Sequence, residues 1–352
     1  MVHGYWPTVP AIPFTQEHLG ELPIRIILEG FNKLQMLLFL TMMFLVKSSM
    51  SFHSKVNLRS FRNIAYFSSH CKMTIADTPL GTKEGEFLLD GLDVYSVPAK
   101  EDMHPLTVYG INSSKPKAED NILLMLHGRT WSSVPVYHLM GGPKHEEQGF
   151  ESRSLMELLS DNDIQAYAMD FRGFGGTPKD SKGFVEPYRC VEDLESVLAW
   201  IIARHETTPE RINLSLMGWS QGALVAQLAA QRSHPLFSKL ILYGSIYDPM
   251  VRYPRAPLYA LNKPEEQDVP NTHDAAVEDF TIEGSIPPET ASKFAEAALL
   301  SDPIRAKWNS LYQFNTCDPA RVHLPTLVVS QNQILIFDTI FVQMLMCFCI
   351  CI

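Results

Sequence analysis

Short, mostly apolar runs recur along the middle of the chain, each closed by a polar or glycine-rich stretch. They lie at 122–126 (Ile-Leu-Leu-Met-Leu), 164–169, 214–217, 240–243 and 325–329. Runs this short, without alternation, predict strands buried on both faces of a sheet. Between them the spacing changes. Val191, Leu194, Val197, Leu198, Ile201 and Ile202 recur at helical intervals across 188–205. Helices are also predicted at 152–160, 223–232 and 288–300. Ahead of the first buried run, 87–97 and 106–111 predict paired strands with a turn at 100–104, and 115–121 reads as a polar loop. Strands alternating with helices imply the α/β class, a mostly parallel sheet with helices on both faces. The stretch from Asp248 to Pro319 lacks strand signals and opens with Pro249, Pro254 and Pro257. It predicts a helical lid insertion, about 249–320, over the C-terminal edge of the sheet, where ligands sit in such folds. A plain surface excursion is the alternative.

The two ends depart from this pattern. Residues 1–80 read as a leader. Positions 34–46 form an apolar run closed by Lys47, too short to span a bilayer and preceded by too much chain for a signal peptide. Positions 50–73 carry Lys55, Arg59, Arg62 and Lys72, many serines and no acid, a composition like that of an organelle transit peptide. An unstructured leader is the competing reading, and the compartment, cytoplasmic or organellar, stays open. At the other end, 332–352 is an atypical apolar tail. It reads as sequence translated past an exon boundary, with a variant end or a membrane-spanning tail as alternatives.

Composition narrows the chemistry. The 352 residues suffice for one large domain plus extensions. A net charge of −10 argues against nucleic acid as a partner. Of the six cysteines, three fall in the last six residues and none forms a CxxC pair, so neither a disulfide framework nor a zinc site is expected. His138 and His145 flank Gly141-Gly142 without HExxH or a carboxylate cluster, and are read as surface histidines with no metal role. Gly173-Phe174-Gly175-Gly176 lacks the lysine of a phosphate loop and is read as the loop after a strand.

The chemistry-bearing stretch is Gly218-Trp219-Ser220-Gln221-Gly222. An apolar run enters it and a helix leaves it, which places Ser220 at a sharp strand-to-helix turn. Gly218 and Gly222 keep the elbow clear of side chains. G-x-S-x-G alone arises by chance in roughly one chain in ten of this length, so the flanking strand and helix carry the reading.

Together with Leu126-His127-Gly128 after one strand and Asp170-Phe171-Arg172-Gly173-Phe174-Gly175 after the next, this elbow resembles the α/β-hydrolase fold superfamily over about 86–330. The likeness is to its serine esterase, lipase and peptidase branches. It implies a hydrolase domain at 81–331 that cleaves small-molecule esters or amides through an acyl-serine intermediate without a cofactor. Ser220 would be the nucleophile, and the backbone N–H groups of Gln221 and Arg129 would form the oxyanion hole. Each such donor is worth about 3 kcal/mol in the transition state. His127, upstream of Ser220, would shape its turn rather than act as base, because this fold runs serine, acid, histidine in chain order. The resemblance fails at that histidine: none follows His323, which precedes the 325–329 strand. Asp338 and Asp248 are the acid candidates. The alternative is therefore a catalytically impaired binding or regulatory protein of the same fold. Oligomeric state is not legible, and membrane association rests on the tail alone.

Overall fold

The computed structural model describes residues 79–111, 121–209, 211–232, 235–245, 257–261, 267–279, 286–329 and 334–337. The chain divides into two units, Met1–Ser51 and Phe52–Ile352, and every described residue lies in the second. The leader up to residue 78, Asp248 and Asp338 fall outside the described residues.

Each apolar run forms a strand. β1 (Leu92–Pro98) and β2 (Pro105–Ile111) pair as an antiparallel hairpin, and β3 (Asn121–Leu126) comes next. A small two-stranded sheet joins β4 (His138–Leu139) to β5 (Arg153–Ser154). β6 (Ile164–Met169), β7 (Asn213–Trp219), β8 (Lys239–Tyr243), β9 (Thr326–Val329) and β10 (Ile334–Phe337) complete the main sheet. Its order is β1-β2-β6-β3-β7-β8-β9-β10. The pairs from β6 through β9 are parallel, and those at both flanks are antiparallel.

The helices are α1 (Lys83–Leu88), α2 (Ser133–Tyr137), α3 (Pro143–Glu147), α4 (Leu155–Ser160), α5 (Pro187–Arg204), α6 (Gln221–Ala230), α7 (His273–Val277) and α8 (Pro288–Ser301). The period-2 geometry of β3 sends Ile122, Leu124 and Leu126 into the core shared with α5 and α6, while Leu123 and Met125 are equally buried on the other face. That two-sided burial is why the run shows no alternation.

The first strand begins later than its sequence pattern predicts. Residue Phe87 belongs to α1, not to a strand. The Thr82 hydroxyl caps this helix by accepting the Gly85 N–H at 3.0 Å, and Glu84 and Glu86 favour its first turn. The excursion between β8 and β9 carries α7 and α8. Their Ala276, Phe294, Ala295 and Ala298 pack with Trp131, just past the C-terminal end of β3. The Trp131 indole also donates to Asp279 after α7.

Candidate active site

β7 ends at Trp219 and α6 begins at Gln221, so one residue makes the whole turn. That residue, Ser220, has φ 53° and ψ −117°, a left-handed backbone that a side-chain-bearing residue adopts only under constraint. The constraint is visible. The Ser220 N–H donates to the Tyr243 carbonyl at 2.8 Å, and its carbonyl accepts the Ala223 N–H at 3.0 Å. The flanking glycines interlock backbone against backbone. A Cβ on Gly218 would lie 2.6 Å from the Ala223 Cα, and one on Gly222 would lie 2.7 Å from the Leu126 carbonyl oxygen and closer still to that of His127. The Ser220 hydroxyl does not cap α6, and Ser220 is partly exposed. It stands at the positive end of the helix dipole, beside N–H groups that have no partner within the helix. Gln221 is buried, and its side-chain Nε2 has no hydrogen-bond partner among the described residues.

The loop after β3 passes directly over this turn. A Cβ on Gly128 would be 3.4 Å from the Ser220 Cβ. His127 lies under the loop, fully buried, and is tilted against the rings of Phe171 and Phe174. Its Nε2 accepts the Phe171 N–H at 3.1 Å. The imidazole proton is thereby assigned to Nδ1, which donates to the Gly128 carbonyl at 2.9 Å. Burial lowers the His127 pKa from 6.5 to about 3, so the ring is neutral. With both nitrogens engaged and no charge to spare, His127 shapes the turn, in keeping with its place upstream of Ser220. The Gly128 carbonyl and the Arg129 N–H share one trans peptide and point opposite ways. Drawing the carbonyl inward onto His127 therefore aims the Arg129 N–H outward.

Two buried carboxylates fasten the chain beyond Arg129. Asp170, at the end of β6, accepts the Ser133 N–H at 2.8 Å, the Gly176 N–H at 3.0 Å and the Tyr109 hydroxyl at 2.6 Å. Asp302, just after α8, accepts the Ser132 N–H at 2.7 Å and the Gly175 N–H at 2.9 Å. Burial raises both, Asp170 to about 6 and Asp302 to about 7, and the Asp170 charge adds to the rise of Asp302. Further along the same segment, the Trp308 indole donates to the Arg129 carbonyl at 3.1 Å. Residues Asp302 and Trp308 carry no motif in the sequence and meet this loop only in the fold.

No described histidine is bonded to Ser220. His138 and His145 are buried rather than on the surface, at 2% and 5% exposure. His138 contacts the Ser154 hydroxyl and the Asp90 carbonyl, and His145 the Gly141 carbonyl. They fold the β4–β5 segment, which sequence spacing does not reveal. His205 pairs with Tyr167, and His104 with the Pro178 carbonyl. His323 is exposed and precedes β9, whose last residue, Val329, is level with Tyr243. It thus approaches the sheet from the edge opposite Ser220. After Val329 the chain reverses, and Ile334 pairs antiparallel with Val329. Phe337, the last described residue before Asp338, lies opposite Thr326, back at the edge where His323 sits. Among the described residues no cluster of three or more His, Cys, Asp or Glu could hold a metal ion, and no helix is long and apolar enough to cross a membrane. The described cysteines, Cys190 and Cys317, are buried thiols.

The family profile described as "Serine aminopeptidase, S33" matches residues 144–329, more than half of the chain. No curated protein sequence matches. Among solved structures, similarity extends to a Vigna radiata epoxide hydrolase mutant (16% identity, 46% of this chain and 42% of that one, TM-score 0.31). It extends also to the thioesterase domain from the curacin biosynthetic pathway (13%, 69% and 84%, 0.43) and to a membrane phospholipase A described as a bacterial virulence factor (18%, 85% and 83%, 0.42). The chain thus spans about two fifths of the epoxide hydrolase's length.

Proposed function

The chain belongs to the serine aminopeptidase family and has the α/β-hydrolase fold, and on that premise we propose that it is a serine hydrolase of small esters or amides, with residues 81–331 as the hydrolase domain and about 249–320 as its lid. The observation that carries this reading is the backbone of Ser220, φ 53° at a one-residue turn between β7 and α6. Strain of this kind, fixed by two interlocked glycines, has a use when a hydroxyl must stand clear of the sheet at a helix N-terminus. Ser220 Oγ attacks the substrate carbonyl, and its proton passes to a base and on to the leaving alcohol or amine. The C–O or C–N bond breaks, leaving an acyl-serine that water cleaves to the carboxylic acid. The tetrahedral oxyanion lies between the N–H groups of Gln221 and Arg129. Of the two acid candidates, this reading keeps Asp248, which follows β8; β10 carries the chain toward the edge opposite Ser220 before Asp338 is reached.

A second reading has its own observation. None of the described histidines reaches Ser220, and the chain turns back at Val329 into β10. A binding or regulatory protein that keeps the pocket without the base fits that arrangement. Fluorophosphonate labelling of the full chain, with Ser220→Ala as control, separates the two. The hydrolase reading expects rapid labelling that the substitution abolishes, and ester turnover reduced about 10⁶-fold. A folded chain that does not label at Ser220 refutes it in favour of the second reading.

A further inference from the structure

The loop from Gly128 to Ser133 is held at its two ends by one part of the protein and between them by another. Within the hydrolase core, His127 fixes the Gly128 carbonyl and Asp170 fixes the Ser133 N–H. Between those points the fasteners come from the segment that leaves the lid. Trp308 holds the Arg129 carbonyl and Asp302 holds the Ser132 N–H. Trp308 is 3% exposed and packs against Phe171, Phe174 and Phe314, the first two of which also pack against His127. Asp302 is anchored from its own side, because its carbonyl accepts from the Asn271 side chain at 2.7 Å, ahead of α7. Its second carboxylate oxygen reaches Gly175 in the loop after β6. Both residues are therefore rigidly placed, and both bind main-chain atoms of the loop rather than its side chains.

We propose that Asp302 and Trp308 are positioning residues. They transmit the placement of the lid's outgoing segment to the Arg129 peptide, and so set the oxyanion donor opposite Ser220. This rests on the oxyanion role given to Arg129 above. The direction of each bond makes the argument. Fixing the carbonyl of residue 129 and the N–H of residue 132 determines the peptides that come after the Arg129 N–H. The peptide that contains that N–H is already held by His127. Rotation about the Arg129 φ and ψ angles is then blocked from both ends. If the lid's outgoing segment shifts, the two core fasteners remain and the two between them are lost; the donor's peptide then keeps a single anchor at the Gly128 carbonyl and tilts about it while the fold stands.

The test uses the full-length chain and two readouts. In the first, hydrogen exchange is followed at the amides of 129–133 in Trp308→Phe, which keeps the ring stack and removes the donor, and in Asp302→Ala and Asp302→Asn. Loss of one buried hydrogen bond is expected to speed exchange in that loop about fivefold to tenfold. The β3 and β7 amides should stay unchanged, and Asn, which keeps one acceptor oxygen, should fall between Ala and wild type. In the second readout, the maximal rate at which the fluorophosphonate phosphonylates Ser220, with loss of fluoride, should fall in Trp308→Phe while the probe's binding constant holds. Unchanged loop exchange in Trp308→Phe overturns the proposal. So does a change shared equally by β3 and β7, which marks general destabilisation, and so does an unchanged phosphonylation rate. If Asp302→Ala does not fold, the other two variants decide. If the wild-type chain does not label, the hydrolase reading fails, and the exchange result alone decides whether the lid segment holds the loop.

Discussion

Gly222→Ala adds one methyl group at a place where the backbone leaves none of the needed space. The new Cβ would sit 2.7 Å from the Leu126 carbonyl oxygen and nearer to that of His127. Ordinary contact begins near 3.4 Å, so α6 would have to move from β3 by roughly 0.7 Å or more, against a rigid main chain rather than a flexible side-chain tip. Overpacking of this kind costs about 1–3 kcal/mol, and with only backbone to displace the upper end applies. Alanine's better helix propensity returns at most about 1 kcal/mol, since Gly222 stands in the first turn. The net expected loss is about 2 kcal/mol or more. Gly128→Ala makes a useful companion. Its Cβ would meet the edge of the Trp219 ring at 3.1 Å and the Ser220 Cβ at 3.4 Å, which a small ring shift accommodates, so it should cost under about 1 kcal/mol. Urea unfolding midpoints at unchanged m value measure both. A Gly222→Ala midpoint within error of wild type, or a Gly128→Ala loss as large as that of Gly222→Ala, would refute the account of the elbow as a backbone interlock.

Other expectations concern charge. Arg172 is 3% exposed and bonds both oxygens of the equally buried Asp193 at 2.7 Å, as well as Asp102 at 2.7 and 3.0 Å. Arg172→Met should cost about 3–5 kcal/mol by stranding the Asp193 carboxylate, and Arg172→Met with Asp193→Leu should recover most of it; no recovery in urea midpoints would refute this. Asp302 titrates near 7 in the fold against 3.8 unfolded. The folded state therefore holds the extra proton between those values, and this group's contribution is present below about pH 4 and lost as pH rises through about 7. Asp302→Asn should accordingly gain on wild type as pH rises from about 4.5 to about 7.5, and a difference that does not vary with pH would sink the assignment. His127 has the opposite sign, because its folded pKa is depressed to about 3 from 6.5. It contributes stability above pH 6.5 that is lost as pH falls toward 3, so His127→Asn should narrow its gap to wild type in acid, which urea midpoints across that range would show.

Much of the sheet could be read directly because its strands are buried on both faces. The runs at 122–126 and 164–169 are almost wholly apolar, and they become β3 and β6 with boundaries shifted by a residue at most. The strand–turn–helix at Ser220 was legible for a related reason: two glycines four positions apart, with a serine midway between a buried run and a helix-forming one, have few other uses. What sequence could not supply was anything fixed by distant contact. Phe87 and Leu88 looked extended because they adjoin the β1 residues, yet the Thr82 cap and the first-turn acids make them the end of a helix that starts at Lys83. His138 and His145 looked like surface residues because their polar partners, Ser154, the Asp90 carbonyl and the Gly141 carbonyl, are revealed only by folding. The union of Asp302 and Trp308 with the loop at Arg129 spans most of the domain and leaves no local trace.

The reversal at Val329 also bears on the order in which the sheet can assemble. Every parallel pairing in its centre must close a long crossover, and β9 reaches β8 only after the whole excursion from Tyr243 to Thr326 has been gathered in. Loop-closure entropy makes that a late and costly contact. β10 faces no such delay, since Ile334 meets Val329 across a few residues, and hairpins close within about 1–10 μs. β9 therefore joins the sheet as one half of a ready-made pair, its outer hydrogen-bonding edge already taken. The free edge of the sheet thereby passes from β9 to β10, a strand of four residues, and short edge strands are poor templates for another chain.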